Sequence, residues 1–333
     1  MSEIFGLDAF SPKEIAERVE SVGVAKARLP LLTMLMLSVL AGAFIGLGAL
    51  YYVLVRSDPT LGFAARQVLA GVAFSLGLLL VVVAGAELFT GNNLLAMAWA
   101  DGKISTAEVL RNWAVVCFGN FVGAAALAVL VFLSGHTDMN NGAVAQEYLR
   151  IAAAKTSLPF WVAFFRGVLC NLLVCMAVWM AFAGRSVVDK AVAIVFPISA
   201  FVAAGFEHSV ANFYLVPLAM LLQTYGDTTF TTPVIGWARF LGSQVPVVLG
   251  NIIGGSVLVG LVYHVIYRRA PGAAGETGEA AAASAPSAAA GTDAAGFNAA
   301  KHSNASSDNS AASANAQWGD SSHKPPASNE AGR

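Results

Sequence analysis

The segment Gly205-Phe206-Glu207-His208-Ser209-Val210-Ala211-Asn212 lies in the middle of an otherwise apolar stretch, 191–226. An earlier segment, Gly85-Ala86-Glu87-Leu88-Phe89-Thr90-Gly91-Asn92, repeats its Gly, Glu and Asn at the same spacing. A second pair matches further along each half: Gly119-Asn120-Phe121-Val122-Gly123 and Gly250-Asn251-Ile252-Ile253-Gly254. An acidic side chain at the centre of a membrane helix costs roughly 2.5–3.5 kcal/mol on insertion scales, so Glu87 and Glu207 must face a polar interior. Irregular backbone at that depth survives only where protein or a wet cavity satisfies it. The two octapeptides therefore read as breaks in two membrane helices that meet near the midplane. Half-helix N-termini at such breaks carry unpaired N–H groups and a positive partial charge, which suits an anion.

The surroundings of these segments demand a lipid solvent. Only 12% of the 333 residues are charged and 57% are hydrophobic, against about 25% charged in a soluble domain, and mean hydropathy is +0.67. Residues 31–55, 67–86, 113–135, 167–184 and 240–263 carry no Asp, Glu, Lys or Arg. Each is long enough to cross or nearly cross a hydrocarbon core of about 30 Å. With 191–226 they make six spans. Three spans per copy force the second copy to be inverted, so the expected architecture is an all-α polytopic membrane protein of two inverted three-helix repeats. Its second and fifth spans are broken.

Basic residues set the orientation. With the N-terminus cytoplasmic, Lys13, Arg18, Lys26, Arg28, Lys103, Arg111, Arg185, Lys190, Arg268 and Arg269 lie inside, against Arg56, Arg66, Arg150, Lys155, Arg166 and Arg239 outside. That bias favours both termini inside. The charge-dense first 28 residues read as no cleavable signal. Net charge is −1, which argues against a nucleic-acid partner.

Within 1–29, Ser11-Pro12-Lys13-Glu14 reads as a capping box with Pro at the first helical position. Ile15, Val19 and Val22 share one face, so this segment is expected to be a short amphipathic helix at the cytoplasmic interface, either a surface anchor or a gating or neighbour-contacting element. The channel domain would be 30–269. Residues 270–333, rich in Ala, Ser, Gly and Asn, read as a disordered cytoplasmic tail. Cys117, Cys170 and Cys175 fall inside spans and lack metal-ligand spacing, so they read as packing residues, and no metal or other cofactor is expected. Glu87, Asn92, Glu207 and Asn212 are expected to brace the broken loops, while mid-span His208 is expected to line a pathway.

These segments resemble the formate/nitrite transporter family. The match rests on Phe74-Ser75-Leu76-Gly77-Leu78, Glu87-Leu88-Phe89-Thr90, Cys170-Asn171-Leu172-Leu173-Val174-Cys175, Ala177-Val178-Trp179-Met180 and Gly205-Phe206-Glu207-His208-Ser209. The N-terminal helix, Gly184-Arg185-Ser186 and the Gly250–Gly255 run are closest to its formate channels. Glu87 and Gly91 depart from residues common there, and Glu-Leu-Phe-Thr-Gly is similar to nitrite-carrying members. The residues offer no hydrolytic or transferase constellation, so no enzyme is expected. The resemblance implies an aquaporin-like protomer in the bacterial inner membrane and a homopentamer with one pore per protomer. It also implies that Leu78, Leu88 and Phe89 form a cytoplasmic slit, and Phe74 and Phe201 a periplasmic one. Thr90 would hydrogen-bond to His208, Asn171 and Val174 would line the path, and Lys155 would stand at the periplasmic vestibule to draw in the anion. Without the family match, each Phe and Leu is equally well read as packing, and Arg166 is unexplained except as a snorkelling or protomer-tying residue.

The expected cargo is formate, with nitrite or hydrosulfide as the alternative within the family. Outside it stand a neutral-solute facilitator and a membrane anchor subunit. A bare carboxylate in low dielectric is prohibitive, so it must be neutralised or compensated between the slits. An imidazole, with an unperturbed pKa of about 6.5, offers two routes: proton supply at His208, or a cationic ring that accompanies a charged ion.

Overall fold

The computed structural model describes residues 9–226 and 233–268. The segment read as a disordered tail, 270–333, lies outside them. The described residues form helices and their connections, with one isolated antiparallel bridge between Ala9 and Gly184. A first helix, α1 (Pro12–Ala27), precedes α2 (Leu31–Arg56) and α3 (Phe63–Ala84). After a loop come a 3₁₀ turn (Gly91–Leu94), the short α4 (Leu95–Ala100) and α5 (Thr106–Leu133). The second half runs through α6 (Ala143–Lys155), α7 (Phe160–Ala183), α8 (Val187–Ala203), α9 (Ser209–Tyr225) and α10 (Trp237–Ile252). A π-helical stretch, Ile253–Leu261, joins α10 to α11 (Val262–Tyr267).

Among the described residues, five helical stretches are long and apolar enough to cross a membrane: α2, α3, α5, α7 and the continuous Trp237–Tyr267. The apolar stretch 191–226 is divided instead between α8 and α9, 17 residues each, or about 25 Å apiece at 1.5 Å per residue. Helix α3 likewise stops before its partner segment, α4, begins.

The halves pack alike. Helix α2 lies on α3 and α5, α7 lies on α8 and α10, and the contacts of α3 with α8 and α5 with α9 join the two repeats. Small residues permit this closeness. A side chain at Gly123 would run into the Val39 carbonyl of α2, and one at Gly254 into the Val168 carbonyl of α7.

The repeat also extends beyond the three spans. Helices α1 and α6 both end in Lys-x-x-Leu-Pro, as Lys26-Ala27-Arg28-Leu29-Pro30 and Lys155-Thr156-Ser157-Leu158-Pro159. Pro30 and Pro159 cap α2 and α7 with nearly the same backbone, φ −55°, ψ 143° and φ −59°, ψ 147°. Since proline cannot continue the preceding helix, each pentapeptide turns the chain from a surface helix into a span.

The apolar face of α1 packs on protein. Ile15, Ala16 and Val19 cluster with Leu94, Met97, Trp179 and Val259. The buried Glu20 carboxylate receives Lys103 and, at 2.6 Å, Arg268. The Phe10 ring carries the guanidinium groups of Arg18, 3.4 Å from its centroid, and Arg185, 4.4 Å away.

Candidate functional site

Each break begins with a glycine in the left-handed region, where other residues are strained: Gly85 at φ +78° and Gly205 at φ +72°. The next residue's N–H reaches back five positions, Ala86 to the Val81 carbonyl at 2.9 Å and Phe206 to the Phe201 carbonyl at 3.1 Å. That pattern closes a helix C-terminus and satisfies a carbonyl with no partner in the next turn.

A buried carboxylate then follows in each break. Glu87 takes the Lys26 ammonium at 2.8 Å and the Asn92 amide at 2.7 Å, and Lys26 also donates to Asn92 Oδ1 at 3.0 Å. Glu207 takes Lys155 through both oxygens at 3.0 Å and the Asn212 amide at 3.0 Å. These are two copies of one Lys–Glu–Asn arrangement. Each carboxylate is paired and hydrogen-bonded, the condition on which a buried charge is tolerated.

A second pair of asparagines clamps the loops from the third span of each repeat. Asn120 donates to the carbonyls of Ser38 and Glu87 and accepts the Phe89 N–H at 2.9 Å. Asn251 donates to the carbonyls of Gly167 and Glu207 and accepts the Ser209 N–H at 3.0 Å. Irregular backbone deep in the molecule thus finds its partners in side-chain amides, as a membrane interior requires.

His208 is the N-cap of α9. Its Nδ1 accepts the Ala211 N–H at 3.1 Å, and its Nε2 lies 3.2 Å from Thr90 Oγ1. A nitrogen that accepts has no proton, so the neutral ring carries its hydrogen on Nε2 and presents it to Thr90. The threonine hydroxyl hydrogen is then free to donate elsewhere. The imidazole stacks on Phe201 at 5.8 Å between centroids, and Phe74 meets both rings edge-on at 5.6 and 6.3 Å.

Two cavities approach this junction. One, of about 240 Å³, is bordered by Arg56, Arg150, Lys155 and Arg166 and lined by Phe74, Phe201, Glu207 and His208. The other, of about 500 Å³, is bordered by Arg18, Lys26 and Lys190 and lined by Leu78, Glu87 and Leu88. Phe74, Phe201 and His208 thus line the same cavity side by side. Leu78 and Leu88 line the opposite one. Phe89, Thr90, Asn171 and Val174 are buried and line neither cavity.

Asn171 stands behind the junction. Its amide nitrogen lies within reach of the carbonyls of Thr90 (3.2 Å) and Asn251 (2.6 Å) and of Asn93 Oδ1 (2.7 Å). It ties the two breaks together through Thr90 and the Asn251 clamp. A side chain at Gly255, in the π-helical stretch, would strike Asn171, Cys175 and Asn93. Lys26, the partner of Glu87, was not among the residues singled out from sequence, yet its repeated Lys-x-x-Leu-Pro setting could have revealed it.

An all-helical chain with several apolar spans, paired breaks related by an inverted repeat, and a buried polar junction between two cavities defines a multi-pass membrane protein of the channel and transporter class. A family profile described as formate/nitrite transporter matches residues 13–265. The chain belongs to the formate/nitrite transporter family. It is 39% identical over 273 residues to the formate channel FocA of Escherichia coli, an alignment covering 79% of this chain and 96% of that one. Among solved structures it is similar to a pentameric formate channel with formate bound, at 35% identity, TM-score 0.66 and coverage of 72% and 98% of the two chains. A channel described as an FNT family ion channel matches at 31% identity, TM-score 0.67 and coverage of 76% and 98%.

Proposed function

We propose that this protein is a formate channel of the bacterial inner membrane, working as a homopentamer with one pathway through each protomer. In this reading residues 30–269 carry the pathway, 1–29 dock the N-terminal helix on the cytoplasmic face, and both termini are cytoplasmic. The observation that carries the reading is the junction of His208 and Thr90, the polar contact that joins the two breaks between two cation-bordered cavities. Leu78 and Leu88 would form the inner constriction, with Phe89 packed behind them, and Phe74 and Phe201 the outer one.

The geometry favours a neutral imidazole. A second proton on Nδ1 would set one N–H against the Ala211 N–H and place a cation at the positive end of α9. The ring then acts as an orienting group, and the Thr90 hydroxyl is left to donate to a carboxylate oxygen. A neutral imidazole has no spare proton without becoming imidazolate, and neutral water would leave hydroxide behind, so the proton that neutralises formate is a hydronium proton from the adjoining solvent. Formate would cross the apolar constrictions as the acid.

Uptake of labelled formate into proteoliposomes tests the cargo, with nitrite, hydrosulfide and glycerol as competitors. Saturable formate flux that glycerol does not inhibit is expected; its absence refutes the reading. Current recorded in the same vesicles tests the mechanism. Flux far larger than the accompanying charge is expected, and one charge per formate would exclude passage as the acid.

A further inference from the structure

The cavity that reaches His208 has four cations at its border, and three of them are already engaged. Arg56 donates to Glu147 at 3.0 Å, Arg150 grips the same carboxylate at 2.6 and 2.7 Å, and Lys155 is held by both oxygens of Glu207. Arg166 is different. Among the described residues its guanidinium has no hydrogen bond, ion pair or ring contact, although its backbone carbonyl accepts the Glu207 N–H at 3.2 Å. That bond fixes the root of the side chain to the residue next to His208. The free group is a planar fork of N–H donors, the geometry that matches two carboxylate oxygens at once, whereas an ammonium offers only a point charge.

We infer that Arg166 is the anion-capture residue of this cavity, binding a small carboxylate or planar oxoanion through its guanidinium before the anion reaches the Phe74, Phe201 and His208 floor. Lys155 in turn has a structural duty: moving it onto a substrate would strip Glu207 of its counter-ion inside the break. The assignment rests on the reading of the chain as a formate channel, and it names the group that first selects the ion.

The test uses purified full-length protein in proteoliposomes, comparing wild type, Arg166→Gln and Arg166→Lys. For entry from the side of this cavity, Arg166→Gln is expected to raise the half-saturating formate concentration roughly fivefold or more at low ionic strength, leaving maximal flux nearly unchanged. Raising salt to about 0.5 M should shrink that gap, because exposed charge is then screened within a few ångströms. Arg166→Lys should fall between the two, and entry from the opposite side should be unaltered. An unchanged half-saturation in Arg166→Gln, with wild type transporting, overturns the capture site and leaves the channel reading intact. No formate flux in wild type overturns the channel reading itself. A guanidinium that only ties protomers would lower the pentamer fraction on size exclusion without moving half-saturation or its salt dependence, and that result also overturns the inference. Should Arg166→Gln fail to assemble, Arg166→Lys decides: half-saturation equal to wild type refutes guanidinium recognition.

Discussion

The two breaks share their scaffold and differ at its centre. Both start with a left-handed glycine, both bury a Lys–Glu–Asn arrangement, and both are clamped by an asparagine from the third span. Between Glu and Asn, however, the first reads Leu88-Phe89-Thr90-Gly91 and the second His208-Ser209-Val210-Ala211. The second break leads straight into α9 with His208 as its cap, while the first passes through a 3₁₀ turn into the six-residue α4. What both copies retain holds an interruption open inside an apolar protein. The imidazole of His208, where the first break has Leu88, and the hydroxyl of Thr90, where the second has Val210, meet at the junction. The symmetric residues thus brace the breaks, and in the proposed function the asymmetric ones line the pathway.

That division can be broken by experiment. The largest effect should come from the shared scaffold. Glu207→Ala leaves the half-buried Lys155 without a counter-ion, a loss approaching the roughly 3–5 kcal/mol of a broken buried pair, and should strongly lower the thermal unfolding midpoint in detergent. Glu87→Ala should cost somewhat less, because the Lys26 side chain is 26% exposed against 17% for Lys155. If either variant were as stable as wild type, its arrangement would not be the brace described.

The asymmetric residues should behave in the opposite way, with flux lost before fold. His208→Leu makes the second break resemble the first, and formate flux should drop at least about tenfold, the equivalent of ~1.4 kcal/mol. The freed Ala211 N–H should cost roughly 1–3 kcal/mol of stability. Retention of normal flux would move the pathway away from the junction. Thr90→Val makes the first break resemble the second, keeps the volume and removes the hydroxyl. A fall in flux of roughly fivefold is expected, close to one net hydrogen bond, with Thr90→Ser near wild type. Equal flux in Val and Ser variants would remove the hydroxyl from the account.

The smallest effect should arise outside both breaks. Helix α1 carries Lys26 to Glu87, and its capping box holds the Glu14 carboxyl below the ordinary carboxylate range, chiefly through the Ser11 N–H and then its hydroxyl. The charged form is favoured in the fold, so this contribution is present above the ordinary carboxylate value and fades as pH falls through the lowered one. Glu14→Gln should slightly increase amide exchange in α1 at neutral pH and leave α6 untouched, with the difference vanishing in acid. An equal change in α6 would show that the two Lys-bearing helices are not independent.

Much of this arrangement was legible in the sequence. The breaks announced themselves because Gly, Glu and Asn recur at one spacing where hydrocarbon tolerates none of them cheaply. Asn120 and Asn251 were visible as a matched pair, yet their work as clamps was not, since spacing along a helix says nothing about which distant carbonyl an amide meets. Lys26 is hidden because its partner is far away in the chain and the Lys-x-x-Leu-Pro repeat lies ahead of the spans themselves. The π-helical stretch at Ile253–Leu261 lies in an unbroken apolar run whose composition fits an ordinary helix equally well. The role of Asn171 as a tie between the breaks depends on three atoms from two distant segments, a convergence that only the folded chain supplies.

The Lys–Glu pairing has one more consequence, for the energy profile of a passing ion. Each break contains one fixed cation and one fixed anion in contact, so the middle of the molecule carries almost no net charge of its own. A substrate arriving there meets no uncompensated fixed charge from either break. Conduction needs binding strong enough to admit an ion and weak enough to release it. In the proposed pathway a compensated centre would supply the second condition and leave the apolar constrictions to limit throughput.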